Sequence, residues 1–337
     1  MNIALFLIAG IIIAVVVLIP VFKIVSQIYP YAYTNARIRS MNTSLLSSED
    51  YDNLVRRPYN DIVYSLERKK FTNLTKYLKG DFSYGSIDQA LRSELVGKLG
   101  KIKKISPDHS KKFLSVLLSK YDIQIIESIV RSLNTNINDK EDVLHITEVF
   151  SDEFLSKKEH DLEGLQNELK GTMYEPVLER HLNELEKRKF DDFEYDLDLL
   201  FFKRLKYHAS TTEAKKYVKQ IIDIHNVSLA LKGIEKKIPG GRIKPEGLVE
   251  SDLNNVLKTL NKYNYKLKAE SEAEVERELQ LKLKKLGEHL MSKNPLSDST
   301  IIGHIILQTV NTRNINILLK MKYNNFPEEE IRRVIAA

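Results

Sequence analysis

A ten-residue pattern occurs three times along this chain of 337 residues, at intervals close to the size of a whole domain. The copies read DIQIIESIVR from Asp122, DIHNVSLALK from Asp223 and NTRNINILLK from Asn311. In register they share an acid or amide, an aliphatic or Asn position, two further hydrophobic positions and a final Arg or Lys. Repeats of roughly 20–50 residues stack as solenoids, whereas units of about 100 residues can each enclose a core. The pattern therefore predicts three homologous domains.

A second element precedes each copy and consists of a Leu followed five residues later by a Tyr. The three pairs are Leu54 and Tyr59, Leu169 and Tyr174, and Leu260 and Tyr265. The copies themselves continue amphipathic helices, because hydrophobic residues recur at every third or fourth position. We expect the polar residues of the repeat to form hydrogen bonds between helices rather than binding sites. These residues are Asp122, Asp223, Asn226, Asn311 and Asn314.

Loop and helix-breaking segments along the chain support the division into domains. A polar loop, NTNIND, lies near the end of the first unit, and Pro239-Gly240-Gly241 follows the second copy of the pattern. Gly and Pro at such positions break helices and mark connections. We predict helical domains at residues 23–145, 146–244 and 245–337.

The composition favours an all-α chain. There are only 13 Gly and 9 Pro, too few for a turn-rich β protein, and Leu, Ile, Lys and Glu are abundant. The absence of cysteine excludes disulfide frameworks, thiolate metal sites and cysteine nucleophiles. The net charge of +6 is mild for this mass and gives no reason to expect a nucleic-acid partner.

The first 22 residues carry no charged side chain, and residues 3–22 read IALFLIAGIIIAVVVLIPVF. About 20 apolar residues suffice to cross a bilayer, so this stretch predicts a transmembrane anchor at residues 1–22. A cleaved signal peptide is disfavoured, because no Lys or Arg precedes the run. Basic residues follow it at Lys23, Arg37 and Arg39, which predicts that the soluble domains lie on the cytoplasmic side of the cell membrane.

No catalytic, metal or cofactor motif is found in the sequence. The eight histidines form no HExxH pair, and Gly97–Lys101 lacks the spacing and the Ser or Thr of a phosphate-binding loop. The acidic run FDDFEYDLDLL from Phe190 is better interpreted as the start of a helix, with acids in its first turn. We therefore predict a chain that is not an enzyme and has no cofactor.

The segment after the apolar run reads YAYTNARIRSM from Tyr31 to Met41. It closely resembles the opening motif of the C-subunit family of archaeal A-type ATP synthases, which is related to the d subunit of the eukaryotic V-ATPase. The family pattern is an aromatic followed by Asn-Ala-Arg-hydrophobic-Arg-small-Met. The later stretches LKGTMYEPVL, DIHNVSLALKG and IPGGRI also resemble the family, as do residues 311–320 and 327–335.

The resemblance implies an all-helical, three-domain funnel with a pseudo-threefold arrangement. Proteins of this family perform no chemistry and transmit torque between the membrane proteolipid ring and the central axle, which the D and F subunits form. Within the opening motif, Asn35, Arg37 and Arg39 are candidates for contact with ring loops or lipid head groups, or else for bracing the first helix. The partners implied are the D/F axle, the ring and membrane lipid, with no nucleic acid.

The apolar N-terminal run departs from the family, many of whose members are wholly soluble. A rotating part cannot be tethered to lipid outside the ring without obstructing rotation, so we expect residues 3–22 to enter the lumen of the proteolipid ring and turn with it. The alternative is contact of residues 3–22 with membrane lipid. Two alternatives have different functions. One is a membrane-anchored helical scaffold unrelated to a rotary ATPase, and the other is a membrane-tethered hydrolase with a site assembled from distant residues.

Overall fold

The computed structural model describes residues 3–71, 74, 78, 84–133, 149–155, 160–234, 236–243, 253–293 and 297–337. Across these ranges the regular structure is helical and no β-strand occurs. The prediction of an all-α fold is confirmed.

The helices are numbered in chain order. They are α1 (Ile3–Met41), α2 (Ser48–Val55), α3 (Tyr59–Arg68), α4 (Tyr84–Ile105), α5 (Asp108–Ser132), α6 (Asp152–Leu155), α7 (Leu162–Leu169), α8 (Glu175–Glu186), α9 (Asp191–His208), α10 (Thr212–Leu231), α11 (Leu253–Lys262), α12 (Glu272–Lys293), α13 (Asp298–Tyr323) and α14 (Glu328–Val334). A 3₁₀ turn, Asn42–Ser44, follows α1. The three repeat copies lie on α5, α10 and α13.

Side-chain caps and acidic first turns define where many helices begin. Ser47 and Asp50 form a reciprocal capping box at α2, and Thr211 caps α10 through the Ala214 N–H. The predicted helix start at the acidic run is confirmed, because α9 begins at Asp191 and carries three acids in its first turn. Such acids oppose the positive end of the helix dipole.

Helix α13 is the central element of the fold. Most of its residues are buried, and it packs against α1, α3, α4, α10, α12 and α14. Its closest neighbour is α12, which it approaches at two glycines. A Cβ on Gly303 would lie 2.7 Å from the Gly287 carbonyl oxygen and 2.8 Å from the Met291 backbone nitrogen. Only glycine permits this backbone-to-backbone contact.

The buried hydrophobic residues form three clusters. The largest joins α4 and α5 to α9, α10, α12 and α13. A second joins residues 46–91 to residues 315–335, so it brings the two ends of the folded chain together. The third combines the end of α10 with α11 and the start of α12, for example Val227 with Val256 and Val275. Each cluster contains residues from distant parts of the sequence, so none is a purely local unit.

Helix α1 contacts α4 and α13, and its C-terminal part is joined to the body by hydrogen bonds at Thr34 and Asn35. No helix in the described ranges has both the length and the apolarity required to cross a membrane. The transmembrane anchor predicted at residues 1–22 is therefore not confirmed. Most side chains of that stretch lie outside the described part of the chain.

Candidate functional site: three buried clasps and an exposed opening helix

The first polar residue of each repeat copy accepts a hydrogen bond from a buried tyrosine. The Tyr174 hydroxyl donates to Asp122 Oδ2 at 3.1 Å, and the Tyr265 hydroxyl donates to Asp223 Oδ2 at 2.6 Å. In the third copy the Tyr51 hydroxyl donates to Asn311 Oδ1 at 2.8 Å. We call these three pairs clasps: Tyr174–Asp122, Tyr265–Asp223 and Tyr51–Asn311. The prediction that these polar residues form hydrogen bonds is confirmed. The bond joins two helices in the third clasp, where Tyr51 lies on α2, whereas Tyr174 directly precedes α8 and Tyr265 follows α11.

Two of the three predicted Leu–Tyr pairs supply a clasp tyrosine, but the pair of Leu54 and Tyr59 was wrong. Leu46 and Tyr51 have the same spacing and make the contact, since the Leu46 N–H also donates to Asn311 Oδ1 at 3.1 Å. Tyr59 packs instead edge-on against Tyr323, with ring centroids 6.0 Å apart. Helix α2 places Tyr51 beside α13, and the next tyrosine along the chain lies beyond reach of Asn311.

The clasp at Asp223 has the largest set of donors. Its carboxylate is fully buried and also accepts from the backbone N–H groups of Arg242 and Ile243, at 2.7 and 2.9 Å. Burial raises the pKa of Asp223, although these hydrogen bonds oppose that effect. The loop fits closely, because a Cβ on Gly241 would lie 2.3 Å from Asp223 Oδ1. The Pro-Gly-Gly breaker therefore also forms the backbone cradle of this carboxylate.

A second polar position, three residues after the clasp residue, holds the chain in two of the repeats. Asn226 exchanges two hydrogen bonds with the backbone of Ile238, each 2.8 Å long. Asn314 does the same with the backbone of Ala336, at 2.9 and 3.1 Å. Ile125 occupies this position in the first copy. Each asparagine thus fixes the segment that follows its own helix.

Asp198 on α9 connects the two helices that carry the aspartate clasps. Its carboxylate forms an ion pair with Lys120 on α5 and lies 3.2 Å from His225 Nε2 on α10. Burial acts to raise the pKa of Asp198, but His225 and Lys120 outweigh it and lower the pKa to about 2. The carboxylate therefore stays charged and ties α5 to α10.

The opening motif has one buried face and one exposed face. Thr34, Asn35 and Ile38 are buried, and the Asn35 amide donates to the Ser297 carbonyl at 3.4 Å, next to the start of α13. Arg37 and Arg39 are exposed. Asn35 thus braces α1 against the body, while the two arginines face solvent.

Further toward its N-terminus, α1 exposes large apolar side chains. Leu18, Phe22, Val25, Tyr29 and Tyr33 recur at every third or fourth position and share one side of the helix. Phe22 is 75% exposed and Tyr29 is 71% exposed. A contiguous apolar surface of this kind marks a contact with another protein or with a membrane. The sequence pattern identified the apolar run but not which side of the helix is exposed.

One polar cluster contains the residue types of a hydrolase triad. His109 Nε2 lies 3.2 Å from Asp298 Oδ2, and the Tyr31 hydroxyl bonds to the same imidazole. The Ser110 hydroxyl donates to Asp298 at 2.5 Å and also lies 3.3 Å from His109 Nε2. The adjoining cavity measures only about 10 Å³, which is about the space of a single water molecule. A cavity of this size leaves no room for a substrate beside the three side chains.

A larger cavity of about 360 Å³ lies between α9, α10, α12 and α13. Its polar lining includes His225, Ser228 and Gln280, and the Arg313 guanidinium pairs with Glu276 at 3.0 Å. In the described ranges no three His, Asp or Glu side chains are grouped closely enough to hold a metal ion. The remaining polar groups described above link helices.

The buried clasps and the exposed opening helix define a helical protein with an exposed apolar surface on α1. Comparison with known proteins identifies the family of the chain. The model of the ATP synthase (C/AC39) subunit family matches residues 34–334, so the chain belongs to that family.

Several curated relatives, named as the C subunits of A-type ATP synthases, match over nearly their whole length. The relative from Desulfurococcus sp. is 25% identical, with 93% of this chain and 92% of the relative covered. The relative from Methanocaldococcus jannaschii is 26% identical, over 95% and 89%. The relative from Methanococcoides burtonii is 27% identical, over 90% and 93%.

Proposed function

We propose that this chain is the C subunit of an A-type ATP synthase and acts as the rotor adapter of its central stalk. In this role it couples the axle formed by the D and F subunits to the membrane proteolipid ring. It transmits torque for ATP synthesis or ion pumping and carries out no catalysis itself. The observation that carries the proposal is the family match over residues 34–334, which extends from the opening motif to the last helix.

The interior of the molecule suits the transmission of torque. The three clasps and the Asn226 and Asn314 bonds are buried, so opening any of them would leave polar groups without partners. Helix α13 contacts six other helices and links the first and last segments of the chain. Such an arrangement resists twisting as a unit. We propose the domain division 23–145, 146–244 and 245–337, which the three repeat copies support.

The exposed side of α1 supplies a surface for the membrane sector. We propose that residues 3–22 contact membrane lipid or enter the lumen of the proteolipid ring, and turn with it. Arg37 and Arg39 lie on the exposed face and would meet ring loops or head groups, while Asn35 positions the helix that carries them. The helical body would then lie at the cytoplasmic side of the cell membrane.

Affinity purification of the tagged chain tests the function directly. The tag follows a flexible spacer, because the Ala336 backbone is bonded to Asn314 and a tag fused closely would disturb it. We expect ring, axle and head subunits to copurify in mild detergent, with one tagged chain per complex and ATPase activity.

The second candidate function is a membrane-anchored helical scaffold unrelated to a rotary ATPase. It is favoured only by the exposed apolar surface of α1, which any membrane-facing scaffold could carry. Purification of the chain alone, or with unrelated proteins at varying ratios, would contradict the rotor proposal and support the scaffold.

A further inference from the structure

Helix α1 leaves the body at the end of the molecule where α4 ends and α5 begins. The Thr34 hydroxyl donates to the carbonyl of Ile105, the last residue of α4, at 2.5 Å. The ring of Tyr31 lies 5.5 Å from that of His109, in the first turn of α5. The end of α9 and the start of α10 reach the same place, because His208 and Ser210 line one small cavity with His109.

This end of the molecule is strongly basic. Segments 103–112, 204–216 and 293–298 contain nine lysines and arginines against three acids. We call the nine residues the basic collar: Lys103, Lys104, Lys111, Lys112, Arg204, Lys206, Lys215, Lys216 and Lys293. The excess of positive charge in these segments is as large as the net charge of the whole chain, +6. The basic residues are therefore concentrated at the root of α1.

The three acids of this end neutralise only part of the charge of the collar. Asp108 pairs with Lys111 at 2.7 Å, and Glu213 pairs with Lys293 at 2.8 Å. Asp298 is buried beneath Ser110 and faces inward. The pKa of His208 is lowered, first by burial and then by the positive charges of Arg204 and Lys112. That effect shows that charges from α5 and α9 surround one imidazole.

Along α1, the types of exposed side chain follow one another in the same order as the layers of a membrane surface. Leu18, Ile19, Phe22 and Val25 come first, and Tyr29 and Tyr33 follow about 10 Å further along a helix that rises 1.5 Å per residue. The basic collar comes next, at the level of Thr34. Hydrocarbon, aromatic belt and phosphate groups follow one another in the same sequence at a bilayer interface.

We propose that the basic collar binds the phosphate groups of anionic phospholipids, with α1 laid against or into the apolar layer below them. The proposal rests on the proposed function, which turns this end of the molecule toward the membrane. Lysines predominate in the collar, and their flexible point charges suit mobile head groups better than a fixed bidentate partner. Each lysine near an anionic surface contributes about 1 kcal/mol, which corresponds to about fivefold in binding.

Vesicle flotation of the full chain tests this proposal. The protein is transferred from mild detergent to vesicles of phosphatidylcholine alone, or of phosphatidylcholine mixed with phosphatidylglycerol. We expect much stronger binding to the anionic vesicles, weakened by salt. The double variant Lys104→Gln/Lys112→Gln should reduce the partition coefficient on anionic vesicles by about 25-fold, and leave binding to neutral vesicles unchanged.

The matched control is Lys258→Gln/Lys262→Gln. Both lysines are exposed on α11, which packs against the far end of α10 from the collar. This control should bind anionic vesicles like the unmodified chain. Equal binding to neutral and anionic vesicles, or an equal loss in the control, would overturn the collar proposal.

A second readout separates this proposal from the proposed function. The collar variant is tagged and purified as the wild-type chain is. Normal recovery of ATP synthase subunits together with lost vesicle binding supports lipid recognition. Failure of the variant to join the ring in detergent would show that the collar contacts protein and would overturn it. If even the wild-type chain recovers no ATP synthase subunits, the rotor proposal fails while vesicle binding is still decided independently.

Discussion

The aspartate clasps and the asparagine clasp use the same hydrogen bond across very different lengths of chain. Tyr174 and Asp122 are 52 residues apart, and Tyr265 and Asp223 are 42 residues apart. Tyr51 and Asn311 are separated by 260 residues. Closing the longer loop costs only about 1.5 kcal/mol more in chain entropy. A modest amount of extra packing can therefore support the Tyr51–Asn311 clasp, which we call the terminal clasp. The hydrophobic cluster of residues 46–91 and 315–335 provides this packing.

The two kinds of clasp also differ in charge. The aspartate clasps are linked through Asp198, which forms an ion pair with Lys120 near one clasp and lies 3.2 Å from His225 Nε2 near the other. The terminal clasp has a neutral amide and depends on the placement of α13. We therefore expect the stability of the two aspartate clasps to depend on pH. The stability of the Tyr51–Asn311 clasp should depend instead on the packing of α13.

The largest effect should come from removing the acceptor of a clasp. Asp223→Ala leaves three donors without their acceptor, two of them buried at Tyr265 and Ile243 and one part-buried at Arg242, and should destabilise the chain by about 4 kcal/mol. Asn311→Ala leaves the Leu46 N–H without its acceptor and leaves the Tyr51 hydroxyl only the backbone carbonyl of residue 311, so it should cost about 2 kcal/mol. Urea unfolding of the full chain measures both.

Hydrogen exchange shows whether the clasps act separately. Asp223→Ala should speed exchange in residues 236–243, and Asn311→Ala should speed it in α2. Equal acceleration at both places in either variant would mean that the two kinds of clasp open as one unit, and the comparison would fail.

Substitution of Gly303 tests the packing that supports the terminal clasp. In Gly303→Ala the new Cβ would collide with backbone atoms of α12, so α13 must shift and stability should fall by about 2–3 kcal/mol. Gly97→Ala is the control, since no atom lies within 4 Å of its Cβ position on α4. The control should be neutral or stabilise by up to about 1 kcal/mol. Thermal unfolding that ranks the two variants in reverse would contradict the contact.

Protonation should distinguish Asp198 from Asp223. The pKa of Asp198 is lowered to about 2 in the folded chain, so its contribution is present above about pH 4 and is lost as pH falls toward 2. Asp198→Asn should therefore cost about 2 kcal/mol at pH 7 and progressively less below pH 4. Urea unfolding at a series of pH values measures this.

The companion variant Asp223→Asn should behave differently. Burial raises the pKa of Asp223, so its ionised form is disfavoured by folding and its contribution is lost as pH rises, not as it falls. The deficit of Asp223→Asn should not shrink on acidification. Parallel pH profiles for the two variants would show that Asp198 does not carry the charge link between the clasps.

The sequence predicted the fold class, the three repeat helices and their polar residues, because periodicity and spacing are local properties. Two clasp tyrosines, Tyr174 and Tyr265, were also found by spacing. The third was missed because Leu46–Tyr51 and Leu54–Tyr59 have the same spacing, and spacing alone cannot show which tyrosine faces a residue 260 positions away. The contact of Gly287 with Gly303 was missed for the same reason, since both are ordinary helical glycines in the sequence.

The smallest predicted effect resolves this ambiguity between the two tyrosines. Tyr51→Phe removes one buried hydroxyl that bonds to Asn311, so it should cost about 1–1.5 kcal/mol. Tyr59→Phe keeps the ring that packs on Tyr323 and lies outside the clasp, so it should change stability by less than about 0.5 kcal/mol. In the Asn311→Ala background, Tyr51→Phe should lose part of its effect, because the side-chain acceptor is gone and only the backbone carbonyl of residue 311 remains. If the effects of Tyr51→Phe and Asn311→Ala on unfolding free energy add in full, the two side chains of the terminal clasp do not stabilise each other, unlike those of the aspartate clasps.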